Sequence, residues 1–137
     1  MSNATIVNDN SIDAEELIGR YAAGERDFVD ISLKWEDLSG ANLAGVNLTG
    51  AIFIRVNLSR ANLSSANLTN TSLKSANLSG ANLEGANVTN ALIDFANLEN
   101  ANLKGAIGSF CHDGMAFYSN TTLPDGSVFV GPSWIDV

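Results

Sequence analysis

The stretch ANLAGVNLTG, residues 41–50, contains two consecutive copies of one five-residue unit: a small residue, an asparagine, a leucine, and two small or polar residues. The same period runs without insertion through residues 26–105, which makes sixteen units. A period of five fits neither the 3.6-residue turn of an α-helix nor the two-residue repeat of a strand. We therefore expect a solenoid in which the chain turns once per unit.

The third residue of every unit is large and apolar, and we call it the centre. The sixteen centres are Phe28, Leu33, Leu38, Leu43, Leu48, Phe53, Leu58, Leu63, Leu68, Leu73, Leu78, Leu83, Val88, Ile93, Leu98 and Leu103. Two residues before the centre, alanine stands in ten units, and asparagine lies between the two positions in ten. Since one unit alone cannot bury its apolar side, the centre and the small residue should point inward.

These units resemble the A-(D/N)-L-x-x motif of the pentapeptide-repeat family, over residues 26–105. The resemblance implies an all-β fold, a right-handed quadrilateral parallel β-helix of about four coils, with four units in each twenty-residue coil. At a strand spacing of about 4.7–4.9 Å, the shaft would be roughly 20 Å long. Residues 120–126 look like the C-terminal closure of some cyanobacterial members, so we expect a bacterial or cyanobacterial source.

The first coil departs from the pattern, because Arg26, Ile31 and Glu36 occupy its inward small positions. Neither charged side chain can be buried without a partner. We therefore expect a distorted coil with both charged groups near its open end.

The N-terminal region, residues 1–25, is predicted to be a mobile stretch over residues 1–10 followed by a capping helix over residues 11–24. Asp13 is the expected N-cap, and Gly24 the expected stop. The predicted apolar face of this helix comprises Leu17, Ile18, Tyr21 and Ala22. Such a cap would cover the apolar end of the solenoid.

The C-terminal region, residues 106–137, is apolar and aromatic. Residues 123–127, LPDGS, predict a turn, and residues 128–130 predict a short strand. Two interpretations stay open: the region closes the core as a cap, or residues 128–137 pair with another chain.

Composition excludes several classes of protein. The net charge of -8 disfavours a nucleic-acid binder that neutralises phosphates. No apolar run reaches the ~18 residues of a transmembrane helix, and no secretory signal pattern opens the chain, so we expect a cytoplasmic protein. The adjacent Cys111, His112 and Asp113 are too few for a zinc site and are not arranged as a triad by sequence alone. We expect no catalytic, cofactor or metal site, and hence no enzyme.

Positions twenty residues apart should stack on one face of the solenoid. Three faces carry asparagine or aspartate before each centre, whereas the fourth carries Ser32, Ile52, Ser72 and Leu92. We call this fourth side the irregular face. Its candidate binding residues are Lys34, Trp35, Ile52, Ile54, Arg55, Lys74, Leu92, Asp94 and Phe95. Exposed apolar and aromatic residues mark interaction sites, so we expect a protein partner or a second copy there. The alternative is that the helix or the tail folds back over this face.

The leading functional prediction is a non-catalytic protein–protein interaction module with an unidentified partner; a purely structural role also stays open. The resemblance also implies an alternative, because some pentapeptide-repeat proteins mimic DNA and bind DNA gyrase. The charge distribution argues against it: residues 38–105 contain three acidic and four basic residues, and the acidic excess lies in residues 1–37 and 106–137.

Overall fold

The computed structural model describes residues 10–111 and 114–136. Within these ranges, positions twenty residues apart form parallel β-bridges, one on each of four sides of the coil. Successive bridged columns begin at Asp27, Ser32, Asp37 and Asn42. The chain turns between one bridge and the next, once in every five-residue unit. The predicted solenoid and its twenty-residue coil are therefore confirmed.

Hydrogen bonds between coils satisfy the backbone of each unit. The N–H of Leu43 donates to the carbonyl of Asn62 at 2.8 Å, and the N–H of Asn62 donates to the carbonyl of Ala41 at 2.8 Å. The asparagine side chains bond mainly within their own unit, as when Asn62 Oδ1 accepts from the N–H of Ser64 at 3.0 Å. Aspartate makes the same turn at Asp37, where the hydrogen bond from the N–H of Ser39 lowers the pKa of the carboxyl. The dominant contact of these side chains is therefore a local turn within the unit, not a ladder between coils.

The core consists of the two columns that the sequence placed inside. All sixteen centres are buried, as are the alanines two positions before them from Ala51 onward. Thr71 takes an alanine position and stays buried because its Oγ1 donates to the carbonyl of Leu48 at 2.7 Å. The inward and outward assignment of the repeat is confirmed.

Helix α1 spans Ala14–Ala22, and Asp13 is its N-cap, accepting from the N–H of Glu16 at 2.7 Å. Leu17 is fully buried against the solenoid core, whereas Ile18 is 44 % exposed. The predicted apolar face is therefore partly wrong, and Ala14, Leu17 and Tyr21 form the packed side at helical spacing. Ala22 is exposed.

Two hydrogen bonds join helix α1 to the first coil. Glu36 Oε1 accepts from the N–H of Ala14 at 2.8 Å, and Tyr21 donates its hydroxyl to the carbonyl of Ala44 at 2.6 Å. Arg26 is exposed, with its guanidinium 3.6 Å from the centroid of the Tyr21 ring. Arg26 is therefore not buried at its small position, as the sequence predicts, because turning outward keeps its charge solvated.

The parallel bridges continue past residue 105 into a fifth coil. Ile107, Cys111, Phe117 and Thr122 each bridge a residue of the fourth coil. Four strands follow in this region: β1 Met115–Tyr118, β2 Thr121–Thr122, β3 Val128–Phe129 and β4 Ser133–Asp136.

Strands β1 and β4 pair antiparallel, as do β2 and β3, so the predicted strand near residues 128–130 pairs within its own chain. The turn before it holds Asp125, whose Oδ1 accepts from the N–H of Ser127 at 2.9 Å. The expected mobile stretch falls on residues 1–9, outside the described residues, and on Asn10, whose carbonyl accepts from the N–H of Ser32. No helix in the described ranges is long and apolar enough to cross a membrane.

Candidate functional site

The irregular face consists of three stacked columns. The bridge column is Ser11, Ser32, Ile52, Ser72, Leu92 and Cys111. The two turn positions beside it form the columns Lys34, Ile54, Lys74, Asp94 and Trp35, Arg55, Ser75, Phe95. Coil-to-coil hydrogen bonds hold the turn columns in register: the N–H of Trp35 donates to the carbonyl of Ile54 at 3.2 Å. The N–H of Ser75 likewise donates to the carbonyl of Asp94 at 2.8 Å.

Large apolar side chains on this face remain in contact with solvent. Trp35 is 68 % exposed, Phe95 60 % and Ile52 37 %. The guanidinium of Arg55 lies 4.6 Å from the centroid of the Trp35 ring, a cation–π contact between neighbouring coils. Ile54 and Leu92 on the same face are half-buried. The face thus presents aromatic rings, aliphatic groups and a guanidinium side by side.

The aromatic residues stand at turn positions that disfavour them. Trp35, Arg55 and Phe95 have φ angles of 64°, 59° and 59°, in the left-handed region. The corresponding turns of the other three faces hold glycine, asparagine, serine or aspartate, with Arg60 as the exception. A residue with a Cβ costs about 1–2 kcal/mol in this conformation. Exposed aromatic side chains return little of that in packing.

Asp94 is the one candidate residue whose expected exposure is wrong. It is only 8 % exposed, and its Oδ2 lies 3.7 Å from Nζ of Lys74. Its Oδ1 is buried without a hydrogen-bond partner among the described residues. Gly114 packs over it, close enough that a Cβ there would lie 3.2 Å from that oxygen. The bridging positions Cys111 and Phe117 of the fifth coil are six residues apart instead of five, but Gly114 still follows Asp94 by the regular twenty residues and covers it.

Strand β4, paired with β1, extends the irregular face at one end. The Trp134 ring of β4 meets Phe95 edge-on at a centroid distance of 6.3 Å and Phe117 at 5.4 Å. Trp134 is 51 % exposed and adds a third aromatic ring to the face. Sequence reasoning missed it because the repeat period, the signal that located the other residues, ends before the tail.

The N-terminal segment bounds the face at the other end. Ser11 bridges Ser32, and a cleft there is lined by Ser11, Ile12, Asp13, Glu16, Ser32, Lys34 and Glu36. The predicted covering by helix or tail is therefore realised only at the two ends. Trp35, Ile52 and Arg55 between them stay exposed.

The described residues contain no group of three or more His, Cys, Asp or Glu side chains that could hold a metal ion. Cys111 is half-buried, and its sequence neighbours His112 and Asp113 lie outside the described residues.

Comparison with known proteins gives consistent matches. A family profile described as pentapeptide repeats matches residues 37–74 and 71–107, in eight copies. The crystal structure of alr5209, a pentapeptide repeat protein from Nostoc Pcc 7120, is similar over 73 % of this chain and 82 % of that protein, with 34 % identity and a TM-score of 0.69. No curated protein sequence matches at a significant level.

Two further structures match a smaller share of their own length. Rfr23, a pentapeptide repeat protein from the cyanobacterium Cyanothece 51142, matches over 71 % of this chain and 63 % of its own, with 30 % identity and a TM-score of 0.56. QnrB1, a plasmid-mediated fluoroquinolone resistance protein, matches over 71 % of this chain and 48 % of its own, with 25 % identity and a TM-score of 0.54. This chain therefore spans less than two thirds of either protein.

Proposed function

Because this chain belongs to the pentapeptide-repeat family, whose fold is a right-handed β-helix, we propose that it is a non-catalytic protein–protein interaction module. The proposed scaffold is a quadrilateral shaft, with α1 and the β1–β4 region as caps on its two ends. Coil-to-coil hydrogen bonds at every unit make such a shaft rigid. A rigid surface loses little conformational entropy when a partner binds.

The observation that carries this proposal is the exposed cluster on the irregular face. Trp35, Arg55 and Phe95 belong to the residue types enriched in binding hot spots, and they occupy three of the four left-handed turns of this face. A fold that needed only stability would place glycine or a small polar residue there, as the other faces do at every turn except Arg60. The cluster therefore supports a docking surface for another protein.

The experiment is affinity capture from a bacterial lysate with three forms of the protein. The face variant is Ile54→Ser/Phe95→Ser, and the matched control is Glu84→Ser/Lys104→Ser, two exposed residues on a different face. We expect a protein retained by the wild type and the control but not by the face variant. That protein is then purified, and its affinity for all three forms is measured by calorimetry.

Equal retention by all three forms would overturn the assignment of the face. Absence of any specific partner, together with a monomeric mass by light scattering, would overturn the proposed function and leave a structural role.

The likeness to QnrB1 motivates a second candidate, a DNA-mimicking inhibitor of DNA gyrase. Its surface charge argues against it, because a phosphate mimic needs acidic side chains along the shaft. Of the three acidic residues in residues 38–105, Asp94 is buried and lies beside Lys74. We expect no inhibition in a DNA supercoiling assay with purified gyrase, and inhibition at micromolar protein would favour this candidate instead.

A further inference from the structure

The spacing of the irregular face restricts the backbone of its partner. Parallel bridges stack the coils about 4.8 Å apart. Residues of one column in the second, third and fourth coils therefore lie about 4.8, 9.6 and 14.4 Å above the residue in the first coil. On an α-helix lying along the shaft, residues i+3, i+7 and i+10 rise by about 4.5, 10.5 and 15 Å. Residues on one side of an extended strand recur every ~6.7 Å and fall out of step by the second contact. The face therefore matches one side of a helix.

The third coil provides a recess for a side chain of that helix. Its bridge position is Ser72 and its outer turn position is Ser75, both small. The neighbouring coils carry Arg55 and Phe95 in the same outer column. A large apolar side chain at position i+7 of a partner helix would enter the gap over Ser75, in the way that a knob fills a hole between helices.

The charges of the face select the polar residues of the helix. Arg55 on the second coil and Lys74 on the third are cationic, and the ammonium of Lys74 lies 3.7 Å from the carboxylate of Asp94, which is buried beneath Gly114. The carboxylates Asp13, Glu16 and Glu36 line the cleft at the first coil and balance Lys34 there. On a protein of net charge -8, the middle of the face thus presents two solvent-accessible cationic side chains and only a buried carboxylate, and it fits acidic groups beside the second and third contacts.

We propose that the irregular face binds an acidic amphipathic helix of about three turns, with apolar residues at i, i+3, i+7 and i+10 and carboxylates flanking the middle two. This inference rests on the proposed function and specifies its partner. The helix lies along the shaft, and its third apolar residue occupies the recess at Ser75.

The probe is a synthetic helical peptide of about fourteen residues, constrained by a lactam bridge on its outer side, with leucine at those four positions and glutamate beside the middle two. Binding is measured by fluorescence anisotropy against the full chain. The test variant is Ser75→Phe, which fills the recess. Its backbone is compatible with an aromatic residue, since Phe95 takes the same turn position one coil further on, with φ near 60° in both. The matched control is Ser65→Phe, at the same φ on another face.

We expect Ser75→Phe to weaken binding at least about tenfold, and Ser65→Phe to change it less than about twofold. A peptide with lysine in place of glutamate should bind at least about tenfold more weakly. Equal melting temperatures of the two variants would show that both are folded. Equal binding by a peptide with leucine at alternate positions would overturn the helical register.

Failure of every peptide, in a protein whose face variant still loses a captured partner, would overturn this inference and leave the proposed function standing. Dimerisation of the wild type that Ser75→Phe abolishes would also overturn it, because the occupant would then be a second copy of the chain.

Discussion

Two faces of the solenoid differ in their outward residues but have the same kind of buried residues at their centres. On the face of Asn42, Asn62, Asn82 and Asn102, the asparagine closes each turn, and the corner holds serine or glycine. On the irregular face, Ile52 replaces the asparagine, and Trp35 replaces the small corner residue. Yet Phe53 and Leu63, the centres of the two faces, are both fully buried. The interior columns therefore determine the coil, and the outer residues can vary for another purpose.

The largest effect should come from the interior, and it should be alike on both faces. Phe53→Ala is expected to lower the free energy of unfolding by about 3–5 kcal/mol and Leu63→Ala by about 2–5 kcal/mol, because each leaves a cavity in a packed column. The outward control Ser64→Ala should change it by less than ~0.5 kcal/mol. Urea denaturation measures all three. Similar losses at Ser64 and Leu63 would contradict the separation of interior from exterior.

The interior column also extends into the fifth coil, where Tyr118 stands twenty residues after the centre Leu98. Tyr118 is buried, and burial raises the pKa of its hydroxyl from 10.0 to about 12. Between these values the unfolded chain loses the phenolic proton while the folded chain keeps it, so stability is retained below pH 10 and falls as the pH rises toward 12.

We expect this group to remove about 2–3 kcal/mol of stability across that range. The measurement is urea denaturation at several alkaline pH values for the wild type and Tyr118→Phe. The wild type should lose more stability than the variant by that amount. Parallel losses would mean that Tyr118 is not buried as the interior column requires.

The regularity of the repeat explains why so much of the shaft could be predicted from the sequence. The period fixed which residues point inward, and the break in the asparagine pattern located the irregular face. Both features depend on contacts between residues twenty apart, and such contacts are encoded in the spacing itself. The family match and the likeness to alr5209 agree with the predicted repeat fold.

The prediction failed where the period stops. The repeat motif ends at residue 105, so it does not indicate that a fifth coil continues through Gly114 and buries Asp94. Trp134 contacts Phe95 because β4 pairs antiparallel with β1. This pairing does not follow from the five-residue period of the repeat. At the other end, Ile18 lies outside the packed side of α1 because the solenoid covers only part of that helix.

A smaller effect is expected where the regular face closes its turns. Asn62→Ala removes the acceptor of the Ser64 N–H at 3.0 Å, and the hydrogen bond is partly replaced by water. The free energy of unfolding should fall by about 1 kcal/mol. Asn62→Asp should keep most of it near neutral pH, because Asp37 makes the same turn. A null effect of Asn62→Ala in denaturation would mean that the asparagine column does not support the turns.

The smallest effect is also the most informative, because it should have the opposite sign on the irregular face. Ile52→Asn supplies a side-chain oxygen like those that, on the other faces, accept from the backbone N–H two residues later. The substitution removes an isoleucine side chain that is already 37 % exposed. We expect a gain of about 0.5 kcal/mol in the free energy of unfolding, together with weaker binding of the acidic helical peptide. Denaturation and anisotropy on the same preparation measure both.

A clear loss of stability would mean that Ile52 serves folding rather than binding. A gain in stability with a loss of binding would show that the irregular face gives up stability for recognition, the trade that its left-handed aromatic residues already suggest.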